Sequence, residues 1–320
     1  MEKYSPYIII AVVSFFLTVG CEKEINPELP IPPPKIVVNS AFNAENLWAV
    51  SVSESQFFLD HSNIKPLKNA DLRIYENGQF LEKLTYNTDI QKYTGQTSPQ
   101  SSNNYSIEVK HDQLRTVAAQ TWLPKASTIT KFEVQANARK VPGMFEDGSL
   151  NRIQLRFQEE EKHAFYQIIL FRLTDEYHWM PPGGEKPEEI PHPVEDLHQK
   201  VYLETFSPIF THDYGAPTFS GNAVGGQEKE VDVFFMSYEN WYYDEVNNTL
   251  DADTSPAVYL LYLMTLSEDY YKYHNSYQLQ QLTNGDPFSE PVPIEGNIAG
   301  GFGIFGGYAF DSVRFEFKHQ

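Results

Sequence analysis

The chain has 320 residues and a formal net charge of −19, with 43 acidic side chains against 24 basic ones. Taken as a whole, such a surface repels nucleic acid and anionic lipid, so nucleic-acid partners are excluded. Aromatic residues make up 14%, led by 22 Phe and 20 Tyr, which favours strands and turns over helix bundles. A single cysteine excludes a disulfide framework and a thiolate metal site.

A short start containing Lys3 precedes an apolar or neutral run from Tyr7 to Gly20. A bilayer-spanning helix needs about 20 residues, so this run is too short to span and reads as a secretory signal over residues 1–20. The run stops at Cys21. The sequence Thr18-Val19-Gly20-Cys21 resembles the lipobox of bacterial lipoproteins, with Thr18 standing where Leu, Val or Ile is usual. That resemblance implies diacylglycerol on the Cys21 sulfur and cleavage before it. An unpaired thiol in a secreted chain needs an explanation, and lipidation supplies one. Residues 21–34 contain Pro27, Pro30, Pro32, Pro33 and Pro34, which favour an extended tether reaching roughly 40 Å. The acidic residues after Cys21 resemble the export signal that sends Bacteroidota lipoproteins to the outer face of the outer membrane.

Residues 35–124 read as short strands. In the stretch "LWAVSVSESQ", Trp48, Val50 and Val52 alternate with Ala49, Ser51 and Ser53. Asn77-Gly78 between two alternating runs predicts a tight hairpin, and His111-Asp112-Gln113 predicts a second. About seven strands in this length predict an immunoglobulin-like or fibronectin-like sandwich. Pro124 to Thr128 marks the expected boundary of a second, β-rich domain over 125–320.

In that second region "RIQLRF" and "FYQIILFRL" are read as paired strands joined by the long turn "QEEEKHA". Residues 175–198 are polar and proline-rich, which predicts a surface loop. "KEVDVFFMSY" and "AVYLLYLMTL" are further strands, and the second is apolar on both faces and expected to be central. One helix is predicted over 268–283. Ser267 is its N-cap, Glu268 and Asp269 suit its positive end, and Asn284-Gly285 stops it. Leu266, Tyr270, Tyr273 and Tyr277 share a face, as in a helix docked on a sheet.

The C-terminal stretch "EDYYKYHNSYQLQQLTNGDPFSEPVPIEGNIAGGFGIFGGYAFDSVRF" resembles a Bacteroidota lipoprotein family, domain of unknown function 4249. The resemblance rests on Tyr270-Tyr271, on Gly285 to Phe288 with Glu290-Pro291, and on Asn297 through Gly306, together with the opening from Cys21. It implies an outer-membrane lipoprotein, of a kind often encoded beside TonB-dependent receptors. It implies no activity.

No constellation compels a chemistry. The glycine-rich segment from Gly296 to Gly307 lacks the Lys-Ser/Thr of a phosphate loop and is expected to allow tight turns and close strand approach. His163, His178, His192, His198 and His212 lie among Glu159, Glu160, Glu161 and Asp213 but show no metal-ligand spacing. Asp244, Asp251 and Asp253 lack the fixed steps of an EF-hand, and composition alone leaves a weak calcium site open. Ser62 to Lys65 is an isolated SxxK without its partner motifs.

The reading is therefore an all-β lipoprotein without metal or cofactor, anchored at Cys21 to the outer membrane and facing the cell surface or the periplasm, with the cell surface favoured. Its expected role is non-catalytic binding beside a TonB-dependent receptor, with Trp179, Trp241, Tyr242 and Tyr243 as expected contact residues. The alternative is an extracellular hydrolase with a site near residues 175–213.

Overall fold

A computed structural model of the chain describes residues 32–57, 60, 62–141, 149–160, 164–173, 198–211, 216–226, 228–237, 240–244, 249–253, 256–283, 289–290 and 292–318. Cys21, Trp179 and most of the 175–213 region lie outside the described residues.

The first seven strands follow from alternating apolar residues. They are β1 (Ile36–Phe42), β2 (Ala49–Glu54), β3 (Asp71–Glu76), β4 (Gln79–Asn87), β5 (Lys92–Thr94), β6 (Asn104–His111) and β7 (Leu114–Trp122). In and beside β2, Trp48, Val50 and Val52 are buried while Ala49, Ser51 and Ser53 are half-buried. The turn between β3 and β4 is Asn77-Gly78, with φ of 49° and 81°. Two successive positive φ values are what a hairpin turn matching strand twist requires. The turn between β6 and β7 also falls where expected, at residues 112–113.

The remaining elements are β8 (Thr128–Lys140), β9 (Ser149–Gln158), β10 (Phe165–Leu173), β11 (His198–Val201), β12 (Leu203–Glu204), β13 (Phe210–Thr211), β14 (Thr218–Ser220), β15 (Glu228–Phe235), β16 (Asn240–Asp244), β17 (Thr249–Asp253), β18 (Ala257–Leu266), the helix α1 (Glu268–Thr283) and β19 (Phe302–Phe317). The protein is all-β with this one α-helix among its described residues. A large sheet runs β13-β14-β10-β18-β19-β1-β2-β5-β4-β3-β6-β7, with β11 added on β10. A four-stranded sheet runs β12-β15-β9-β8, and β16 and β17 form a separate two-stranded ribbon.

Two hydrophobic clusters lie within the compact body Pro34–Gln320. The first joins Ile36, Val38, Trp48, Leu72, Ile74, Ile107 and Val109 with Ile298 and Phe305 from the C-terminal segment. Phe42, Trp48, Tyr105 and Phe305 meet in it as a ring cluster, with Phe42 to Phe305 centroids 4.8 Å apart. The second lies between the four-stranded sheet and the β10–β18 part of the large one. It contains Ile153, Leu155, Phe157, Tyr166, Ile168, Val231, Val233, Phe235, Leu261 and Leu263.

β18 is central as expected, between β10 and β19. The expected pairing of β9 with β10 is corrected. β9 pairs with β8 and β15, whereas β10 pairs with β11, β14 and β18. The intervening segment crosses from one sheet to the other, so both strands face the same core from opposite layers. Burial patterns show why pairing misled: Ile153, Leu155 and Phe157 and, opposite, Tyr166, Ile168 and Leu170 are all fully buried. Two inward-facing alternations joined by a polar link suit an arch as well as a hairpin.

The glycine segment is also straighter than expected. From Phe302 on it is a single 16-residue strand, β19. Its first part, Phe302–Gly307, pairs in parallel with β1, and its second, Tyr308–Phe317, pairs antiparallel with β18. Parallel pairing needs a long crossover, and here nearly the whole chain supplies it.

Candidate functional site

Three places concentrate polar or aromatic residues: the seam between β1, β19 and α1, the arch between β9 and β10, and the β16–β17 ribbon.

At the seam, glycine is required by space. A Cβ on Gly303, whose φ is +101°, would fall well under 3 Å from the Val38 carbonyl oxygen. One on Gly306 would sit 2.7 Å from Tyr270 Cβ, and one on Gly307 2.5 Å from the Trp122 oxygen. The expected close approach is thus present, between strands and under the first turn of α1. Ser267 caps that turn. Its Oγ accepts from Tyr270 N at 3.4 Å and from Gly307 N at 3.2 Å, and its backbone N donates to the Gly307 oxygen at 2.9 Å. Burial pushes the Tyr270 phenol up to about 12. Asn297 closes the segment by donating from Nδ2 to the Phe305 oxygen and accepting from Phe305 N, at 2.8 and 2.9 Å. The amides of Gly301, Phe305 and Gly307 are spent within the fold, on the Ile298 oxygen, Asn297 Oδ1 and Ser267 Oγ.

The helix face divides. Tyr270 packs on Gly306, Tyr271 stacks on Phe165 at 4.3 Å, and Tyr273 stacks on Tyr277 at 6.3 Å. Polar residues on the same helix reach the edge of the large sheet: Asn275 Oδ1 accepts from Thr218 Oγ1 at 2.7 Å, and His274 Nε2 meets Gln167 Nε2 at 2.7 Å. The helix is therefore docked on the sheet, as the tyrosine spacing implies.

At the arch, Lys229 of β15 is 5% exposed. Its Nζ donates to the Gly221 and Val224 oxygens at 2.9 and 2.6 Å and pairs with Glu159 Oε2 at 3.2 Å. Ser127 Oγ and Tyr166 OH lie 3.1 Å apart nearby, and burial holds the Tyr166 phenol far above its ordinary range. A lysine, a carboxylate, a phenol and a hydroxyl invite a catalytic reading. Their burial argues for a different one, since Ser127 and Tyr166 are fully buried. The pair ties β15 to the segment between the two sheets. Sequence reasoning passed over Lys229, because a lone lysine in an alternating strand reads as solvent-facing.

The ribbon carries three of the four expected contact residues. Trp241 pairs with Ala252, Tyr242 with Asp251 and Tyr243 with Leu250. The three acidic residues do not converge along the backbone, since register sets Asp244 opposite Thr249, Asp251 opposite Tyr242 and Asp253 opposite Asn240. Of His163, His178, His192, His198 and His212, only His198 is described, at the end of β11 opposite Leu173. Among the described residues no group of three or more His, Cys, Asp or Glu is placed to hold a metal ion. A shallow depression on β3, β6 and β7 is lined by Tyr75, Gly78, Ser106, Ile107, Glu108 and Ala118. Its carboxylate, Glu108, is already paired with Lys110 at 2.9 Å.

A family model described as Domain of unknown function (DUF4249) matches residues 22–314. No curated protein matches the chain.

Proposed function

The chain belongs to the DUF4249 family, and we propose that it is a lipid-anchored lipoprotein of the outer membrane that acts as a non-catalytic binding subunit beside a TonB-dependent transporter. Cys21 is the anchor in this reading, residues 22–34 the spacer, and the β body the binding module on the cell surface. The observation that carries it is the β16–β17 ribbon, which belongs to neither core sheet and brings Trp241, Tyr242 and Tyr243 together on one short strand. Aromatic residues of this kind dominate interface hot spots. A tethered module gains effective concentration beside its partner without any new contact.

Two experiments test the reading. Cys21→Ser is expected to release the protein from membranes or leave its leader uncleaved; equal detergent partitioning of variant and wild type would reject the anchor. A tagged chain is expected to recover an outer-membrane barrel from native membranes, and Trp241→Ala to lose it. Recovery of the lipoprotein alone, with turnover of a polymer or peptide by the purified protein, would reject the accessory role and promote a hydrolase with its site near residues 175–213.

A further inference from the structure

The end of the large sheet where the chain enters the body carries two exposed apolar side chains. Ile64 is 71% exposed and Phe302 is 52% exposed. Two strands, β1 and β2, lie between their segments. Phe302 pairs with Val37 at the start of β1, and β1 pairs with the end of β2 through Val37 and Ser53. Ser53 in turn bridges Pro66, and Glu54 N donates to the Lys65 oxygen at 3.0 Å. Ile64 and Phe302 are thus separated by three strand spacings, roughly 14 Å. Lys35 holds the junction. Its backbone N donates to Ser55 Oγ at 2.9 Å, and its Nζ lies 4.8 Å from the centre of the Phe302 ring.

The charge at this end differs from that of the chain. Lys35, Lys65 and Arg115 are exposed here, with Arg115 lying against Gly300. Register brings Lys92 and Lys110 to the same end, and its acidic residues are Glu54, Asp60, Asp71, Asp89 and Asp112. Five against five leaves this end near neutral, on a protein whose formal charge is −19. The general repulsion from anionic lipid is therefore locally relieved at the apolar pair.

We propose that this end rests on the lipid surface, with Ile64 and Phe302 inserted among headgroups and Lys35, Lys65 and Arg115 against their phosphates. The proposal builds on the anchor at Cys21. The occupant follows from where the spacer ends: it joins the body at Pro34 and Lys35, directly beside Phe302. A spacer of this length keeps the patch within roughly 40 Å of the bilayer, so even weak insertion is populated. Long basic stems and exposed apolar side chains together are the chemistry of an interfacial contact. The spacer then sets only the reach, and the patch sets which side of the body faces outward.

The sole cysteine makes the test independent of what the cell does. The chain from Cys21 onward is coupled through that thiol to maleimide-headgroup lipid in vesicles of phosphatidylethanolamine with a minority of phosphatidylglycerol. Hydroxyl-radical oxidation is then read by mass spectrometry. Oxidation of Ile64 and Phe302 is expected to fall several-fold on coupling, while Phe80, exposed at the opposite end of these strands, is unchanged. In Ile64→Glu, Phe302 is expected to keep its uncoupled rate. Equal oxidation with and without coupling, equal protection of Phe80, or protection of Phe302 that survives Ile64→Glu would each overturn the proposal. Failure of the anchor itself is read separately, from the fractionation of Cys21→Ser in cells.

Discussion

Gly303→Ala tests how closely β1 and β19 approach. Two costs combine. An L side chain at φ +101° is strained, by about 1–2 kcal/mol. The new Cβ also collides with the Val38 carbonyl, which is backbone and can move only with β1. Retreat of β1 breaks part of a parallel ladder of six residue pairs, Val37↔Phe302 through Phe42↔Gly307. Losing two or three bonds at about 1 kcal/mol each, with partial opening of Ile36 and Val38, brings the total to about 3–5 kcal/mol. That is a large share of the roughly 5–15 kcal/mol that holds a typical domain. Gly78→Ala is the matched control: its φ is +81°, yet a Cβ there meets nothing within 4 Å. It is expected to cost about 1 kcal/mol, from strain alone. Urea denaturation read from the midpoint at constant slope separates the two variants. Equal midpoints would refute the argument that space, rather than backbone conformation, fixes glycine at 303.

Lys229→Met strips the cationic partner from the largely buried Glu159 carboxylate, and is expected to cost about 3–5 kcal/mol by thermal or chemical denaturation. Adding Glu159→Gln should recover much of that loss, and no recovery would show that the lysine acts through its two carbonyl contacts instead. Ser267→Ala removes the α1 cap and the acceptor for Gly307 N, with an expected cost of about 1–2 kcal/mol in the same assay. Burial holds Tyr105 and Tyr270 at about 12 against an ordinary 10.0. Their folded values lie above the unfolded one, so the stability they contribute is complete below pH 10. It is lost between pH 10 and about 12, at on the order of 2 kcal/mol each. A melting temperature flat across that window would contradict the assignment.

Local chemistry was legible wherever one short segment decides its own structure. Asn77-Gly78 announces its turn because few other pairs tolerate positive φ twice. The 48–52 alternation and the Ser267 cap are decided by immediate neighbours and lie where expected, and β18 is central because it is apolar on both faces. What escaped depends on distant partners. β8 has exposed residues on every other position and two bulges, so its 13 residues carry little hydrophobic signal. β9 and β10 look like a hairpin because alternation records which face is buried and not which sheet does the burying. Lys229 is hidden from sequence reading because its acceptors are the backbone oxygens of Gly221 and Val224. Of the expected contact residues, Trp241, Tyr242 and Tyr243 are placed together on one strand, while Trp179 and Cys21 fall outside the described residues.

The dual pairing of β19 governs the order in which the chain can fold. Its Phe305 completes the first hydrophobic cluster, while Phe315 and Phe317 pack on the second. The partner of its first half is β1, and Asn43, just past β1, donates to the Tyr308 hydroxyl across 265 residues of sequence. Contacts of that separation form late and slowly, because loop closure precedes any gain from them. Until β19 arrives, the edges of both β1 and β18 stay open and both clusters lack part of their wall. A chain that emerges from its first residue onward therefore reaches the native state in one late step and not domain by domain. It is exposed to proteases and to strand-edge aggregation for as long as the last segment is outstanding.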